Sequence, residues 1–122
     1  MYNANIDNLY IGGEKMQQKN LVPGSTQMLL LRLLQESDMY GYQMIEELGK
    51  RSNDTFLLKA GTLYPILHTL EQEGKIESYE AAGTAGKPRK YYHLTQVGRQ
   101  ALDVQQKEWD RVSTAINRVL HP

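Results

Sequence analysis

Apolar positions are sparse over the first 20 residues, where Asn, Gln and Gly dominate and only positions such as Ile6, Leu9 and Ile11 break the polar run. Such a stretch has little to bury, so residues 1–22 are expected to form an arm, mobile or loosely docked, ahead of the folded part. Pro23, Gly24 and Ser25 then mark a helix start, since the first turn tolerates proline and favours serine. The run that follows, TQMLLLRLLQE, is apolar on nearly every side. A surface helix carries one apolar stripe, so this one must be covered from at least two directions. A second copy of the chain is one candidate cover.

Ser37 and Asp38 offer cap oxygens ahead of a second helix expected over about 40–50, where Met44, Ile45 and Leu48 keep helical spacing. Gly49 and the run Ser52-Asn53-Asp54 end it. In a third helix over about 60–73, Leu63, Ile66, Leu67 and Leu70 repeat at i, i+3, i+4 and i+7. Pro65 is expected within about the first turn, because deeper in a helix it costs ~3 kcal/mol. After Gly74 the period changes to two. IESYEA and RKYYHL read as antiparallel strands joined by the loop AGTAGKP. Thr95 caps a last helix expected to reach about Leu120, ~39 Å at 1.5 Å per residue and longer than so small a core covers. Three helices, a β-hairpin and a long helix give an α+β, mostly helical chain. That is the plan of a winged helix-turn-helix over residues 23–94, with a dimerisation helix over 95–122.

Composition narrows the classes. A chain of 122 residues holds one ordinary domain. The absence of cysteine excludes disulfide scaffolds, zinc knuckles and thiol nucleophiles, and fits a reducing cytoplasm. The densest apolar run, Met28 to Leu34, contains Arg32 and is far short of the ~20 residues that span a bilayer. No signal-peptide block is visible either, so no membrane partner is expected. The 14 basic side chains balance the 14 acidic ones, yet they are not evenly spread. Lys87, Arg89, Lys90 and Arg99 lie in a stretch without an acid, whereas Glu36, Asp38, Glu46 and Glu47 lie in one without a base.

That asymmetry suggests chemistry. A cationic loop between glycines can track a phosphate backbone and release its counterions; a solvated loop is the plain alternative. On the third helix, the apolar face turns Gly61, Pro65, His68 and Gln72 outward, with Thr62, Tyr64 and Thr69 on the flanks. A major groove admits one such helix, although an ordinary wet face has the same composition. The loop is not a nucleotide-binding one: Ala81 replaces the first glycine and Pro88 the Ser or Thr that holds magnesium. In the last helix, Leu102, Gln105, Trp109, Val112, Ile116 and Val119 follow 3-4 spacing, a seam for a partner helix. Trp109 is either an interface anchor or one wall of a slot for flat aromatic or cationic compounds. His68, His93 and His121 fall in separate elements with no ligand spacing. No metal, cofactor or catalytic set is expected.

Three segments in order, YGYQMIEEL at 40–48, GTLYPILHTLEQEGKI at 61–76 and GKPRKYYHLTQVG at 86–98, resemble the PadR family of bacterial transcriptional regulators. The likeness covers about Ser25 to Leu120. It implies a winged-helix homodimer joined by its C-terminal helices and bound to palindromic promoter DNA, usually as a repressor. Carried over by motif, Thr62, Tyr64, Pro65 and His68 belong to the recognition helix and Lys87, Arg89 and Lys90 to the wing. Tyr40 and Gln43 start the helix beside the DNA backbone. The C-terminus looks like that of the short, multidrug-sensing branch. This implies a small aromatic effector at Trp109, with Leu21, Gly24, Gln27 and Met28 lining the same pocket. Ser113 departs from that branch, which has an acidic residue one turn beyond the tryptophan; here Asp110 lies beside Trp109 instead. A rival reading is a winged helix used for protein–protein assembly without DNA, which Glu46, Glu47, Glu71 and Glu73 would favour.

Overall fold

The computed structural model describes residues 10, 11, 14, 15, 25–83 and 86–122. Two short strands, β1 (Tyr10–Ile11) and β2 (Glu14–Lys15), pair antiparallel. Otherwise the expected arm, with Leu21 and Gly24, lies outside the described residues. The folded part runs α1 (Ser25–Glu36), β3 (Met39–Tyr40), α2 (Gly41–Arg51), α3 (Ala60–Gln72), β4 (Ile76–Ala82), β5 (Pro88–Leu94) and α4 (Gln96–Leu120).

The helices pack where their apolar periods dictate. Leu30, Leu31, Leu33 and Leu34 of α1, Met44 and Leu48 of α2, and Leu63, Leu67 and Leu70 of α3 are all buried in one cluster. Met28 and Leu29 lie half-buried against it. The all-round apolar character of α1 is thus met largely within the chain, by α2, β5 and α4 packed on it.

The sheet is antiparallel and three-stranded, in the order β3-β5-β4. Alternation sorts its residues onto two faces. Met39, Ile76, Tyr92 and Leu94 are buried in the core cluster, while Tyr40, Tyr79, Tyr91, Arg89 and His93 occupy the other face. The sequence reading had two strands; β3 is the addition, pairing Met39 with Tyr92 and Tyr40 with Tyr91. Two residues carry no period, so nothing in the pattern marks them as a strand.

Two further expectations are corrected. Ser37 and Asp38 do not cap α2: its N-cap is Tyr40, which makes no side-chain cap bond. Pro65 is not in the first turn, because it is the sixth residue of a helix that begins at Ala60. It deprives the Gly61 carbonyl of its helical donor, but Gly61 and Pro65 are both exposed, so water can serve that carbonyl. Thr95 does cap α4, its hydroxyl accepting from the Gly98 N–H at 3.0 Å. The same hydroxyl donates to the Gly74 carbonyl at 2.6 Å, and the Thr95 N–H donates to the Lys75 carbonyl at 3.1 Å. These bonds tie the start of α4 to the turn before β4.

Candidate nucleic-acid interface

Burying Leu63, Leu67 and Leu70 leaves Gly61, Pro65, His68 and Gln72 exposed along the far side of α3, with Thr62 half-buried at its edge. Tyr64 is 47% exposed but does not simply project outward. Its phenol covers the N-terminus of α2 so closely that a Cβ at Gly41 would collide with it. Tyr64 therefore sets the spacing of α2 and α3 as well as contributing to the outer surface. Gln43, the third residue of α2, is half-buried two positions after Gly41.

The wing is the β4–β5 hairpin, paired from Ile76↔Leu94 out to Ala82↔Pro88. Its tip is closed by the Gly83 N–H donating to the Lys87 carbonyl at 2.7 Å, with Gly86 at φ 75°. A positive φ suits glycine because it has no Cβ to clash. Lys87 and Lys90 are exposed, and the Lys90 ammonium stands 5.7 Å from the Tyr92 ring. Arg89 behaves differently. Its guanidinium lies 4.3 Å over the Tyr40 ring, its stem occupies the space that Gly83 leaves open, and its Nε is buried without a partner among the described residues.

Beneath Arg89, Tyr40, Tyr91 and Tyr79 form one row across the three strands. Tyr40 meets Tyr91 edge-on at 5.5 Å, and Tyr91 stacks on Tyr79 at 5.8 Å. The row ends at Asp38, whose carboxylate accepts from the Tyr79 hydroxyl at 2.6 Å and meets His93 Nδ1 at 2.8 Å. Partial burial works against its charge, but the bonds from Tyr79 and His93 prevail and hold Asp38 below the usual aspartate range. The Tyr79 phenol is correspondingly pushed up, chiefly by its bond to that carboxylate.

The acids on neighbouring elements are largely engaged. Glu36 pairs with Arg51 through two bonds of 2.7 Å and with Arg32 at 2.8 Å, and Glu47 pairs with Arg51 at 2.9 Å. Glu71 accepts from Ser78 at 2.6 Å, and Glu73 meets Lys75 at 3.0 Å. The patch Glu36–Glu47, read from sequence as uniformly acidic, is thus offset by Arg32 and Arg51 folding back onto it.

On α4 only Gly98 and Leu102 are buried. Beyond them Trp109 is 40%, Ile116 51% and Val119 81% exposed, with Val112 half-buried. Gln27 and Met28 are half-buried on α1, which packs against α4. The Ser113 hydroxyl donates to the Asp110 carbonyl at 3.3 Å.

Residues 30–104 match the Transcriptional regulator PadR-like family. The chain belongs to that family. A PadR-like transcriptional regulator from Bacillus cereus superposes with a TM-score of 0.76 at 31% identity, covering 84% of this chain and 98% of that one. A PadR family transcription regulator from Clostridium difficile gives 0.69 at 33% identity, covering 80% and 99%. An uncharacterized protein of Lysinibacillus sphaericus is 35% identical over 102 residues, 84% of this chain and 94% of that protein. PadR-like proteins are DNA-binding transcriptional regulators of winged-helix fold, not enzymes. Among the described residues, no helix is long and apolar enough to cross a membrane.

Within this PadR-like chain, Asp38 is the residue that sequence reasoning misjudged most. It passes for a helix cap, and its real partners are 41 and 55 positions away. Lys59, the exposed residue directly before α3, was passed over as well. A lone lysine in a loop gives no periodic signal.

Proposed function

We propose that this regulator is a cytoplasmic homodimer and a repressor, setting α3 in the major groove of a pseudo-palindromic operator and laying its wing along the backbone. The observation that carries the reading is the pairing of a small-residue, exposed face on α3 with a cationic wing. Gly61, Thr62, Pro65 and His68 lie on the one, and Lys87, Lys90 and Arg89 on the other. Early residues of a groove helix reach base edges, and lysine and arginine neutralise phosphates. Tyr40 and Gln43 lie at the start of α2, against which Tyr64 of α3 packs, and the three suit backbone contact.

The dimer follows from α4. Trp109, Val112, Ile116 and Val119 form an apolar seam that its own core does not cover, and facing helices bury such seams. Two-fold symmetry then sets the two α3 helices about one DNA turn apart, ~34 Å. Trp109, meeting its mate near the axis, offers a wall for a small aromatic effector, with Gln27 and Met28 of α1 as candidate neighbours.

Mobility-shift titration against genomic fragments tests the reading. Retention of a subset of fragments is expected. With Arg89→Ala, affinity for all duplexes falls and the slope of log K against log salt flattens by about 0.9 per protomer. A protein–protein module would retain no fragment. The acids that favoured that rival are mostly paired: Glu47, Glu71 and Glu73 each have a partner within 3.0 Å.

A further inference from the structure

We propose that Asp38 is a positioning residue for DNA binding: it locks the outer face of the wing sheet and so fixes the place at which Arg89 meets the duplex. The inference rests on the wing being a duplex contact. It goes further by assigning that contact's geometry to a carboxylate in the turn between α1 and α2.

The connection runs through named contacts. Asp38 takes the Tyr79 hydroxyl on Oδ2 and His93 Nδ1 on Oδ1, reaching β4 and β5 at once. Tyr79 is thereby held flat on Tyr91 (17° between planes), Tyr91 against Tyr40, and Tyr40 beneath the Arg89 guanidinium. Tyr40↔Tyr91 and Tyr79↔Tyr91 are direct cross-strand pairs, so the three rings share one row and Arg89 starts the next. Gly83 completes the arrangement, since a Cβ there would come within 2.5 Å of Arg89 Cδ. Only a bare backbone at the tip lets the arginine lie back on Tyr40.

A local purpose does not account for the carboxylate. Asp38 caps no helix, because α2 is capped by Tyr40. Its hydrogen-bond partners are Tyr79 and His93, and Glu77 lies across the strand pair from His93. Two donors converge on the two carboxylate oxygens; asparagine has one acceptor, and its amide nitrogen meets His93 Nδ1 only if that ring moves its proton to Nε2. An arginine fixed in advance loses less freedom on meeting a phosphate than one swinging from a loop. That is the gain Asp38 supplies.

The test is fluorescence anisotropy with a labelled mixed-sequence duplex of ~30 base pairs over a salt series. The proteins are full-length chains: native, Asp38→Asn, Arg89→Ala, the double variant, Asp38→Glu and Tyr79→Phe. Asp38→Asn is expected to weaken binding about tenfold, the scale of one lost charge-assisted hydrogen bond, and to flatten the salt slope as Arg89→Ala does. The double variant should bind no more weakly than Arg89→Ala alone, and Asp38→Glu should restore most of the loss. Tyr79→Phe keeps the stack and removes only the bond to Asp38, so it should shift the slope in the same direction. It decides the matter if circular dichroism shows Asp38→Asn unfolded. Native-like binding by Asp38→Asn, or a loss that adds in full to that of Arg89→Ala, overturns the proposal while the native protein's binding keeps the DNA reading intact. If the native protein binds no duplex at any salt, the DNA reading itself fails and the positioning role falls with it.

Discussion

Gly98 and Gly61 lie near the starts of two helices, and the structure assigns opposite signs to the same substitution at each. Gly98 is the third residue of α4. A Cβ there would overlap the Lys75 carbonyl oxygen and come within 2.6 Å of Leu94 Cδ1. Alanine gains ~1 kcal/mol over glycine in helix propensity. Forcing an extra methyl into a filled space costs ~1–3 kcal/mol. The steric cost wins here because the obstructing atom is backbone. The turn at Gly74 and Lys75 is tied to Thr95 by bonds of 2.6 and 3.1 Å, so it cannot swing aside as a flexible side chain would.

The upper end of that range applies, and Gly98→Ala should cost about 2 kcal/mol net. With a urea slope of ~2 kcal/mol per molar, the midpoint falls by about 1 M. Gly61 has no atom within 4 Å of its would-be Cβ, so Gly61→Ala keeps the propensity gain and should raise the midpoint by up to ~0.5 M. Both are read by circular dichroism in urea at one fixed protein concentration, because association contributes to apparent stability. A Gly98→Ala midpoint at or above the native one would refute the close approach of α4 to the turn before β4.

Acid should weaken the fold in a defined window. The two-bond contact with Arg51 holds Glu36 below its ordinary 4.5, and the bonds from Tyr79 and His93, outweighing burial, hold Asp38 below 3.8. Depressed carboxylates stabilise above their unfolded values and lose that contribution as the pH falls through the folded ones. The urea midpoint should therefore begin to drop below pH 4.5, and less steeply in the double variant Glu36→Gln, Asp38→Asn; equal slopes would remove both groups from the linkage. Ile116→Asp places a charge in the α4 seam and should convert a dimer in sedimentation velocity to a monomer without changing the far-UV spectrum per residue. An unchanged sedimentation coefficient would exclude the seam as the interface. Planar aromatic dyes should quench Trp109, the only tryptophan, and a flat response across a chemically varied set would leave it as packing alone.

The helices were readable because burial imposes a period. Leu63, Ile66, Leu67 and Leu70 define one face of α3, and Thr95 before Gln96 marks the start of α4 by its hydroxyl. The outward residues of α3 followed directly from that face. The rest depended on contacts that sequence spacing does not encode. Strand β3 is two residues long and exists because β5 supplies its hydrogen-bonding edge. Arg89 was legible as a wing cation, yet its rest position on Tyr40 is set by a residue 49 positions earlier and by the gap at Gly83. Asp38 carries an ordinary cap signature, and only the arrival of Tyr79 and His93 gives it another use. Pro65 was recognised as a helix problem but misjudged in depth, because an exposed Gly61 carbonyl loses less than a buried one.

The most direct test of the whole account is the composition of the complex on DNA. Sedimentation velocity of the full chain with a retained genomic fragment trimmed to a single site should give two chains per duplex, dissociating as salt rises. One chain per duplex, or no co-sedimentation with any fragment, would contradict it.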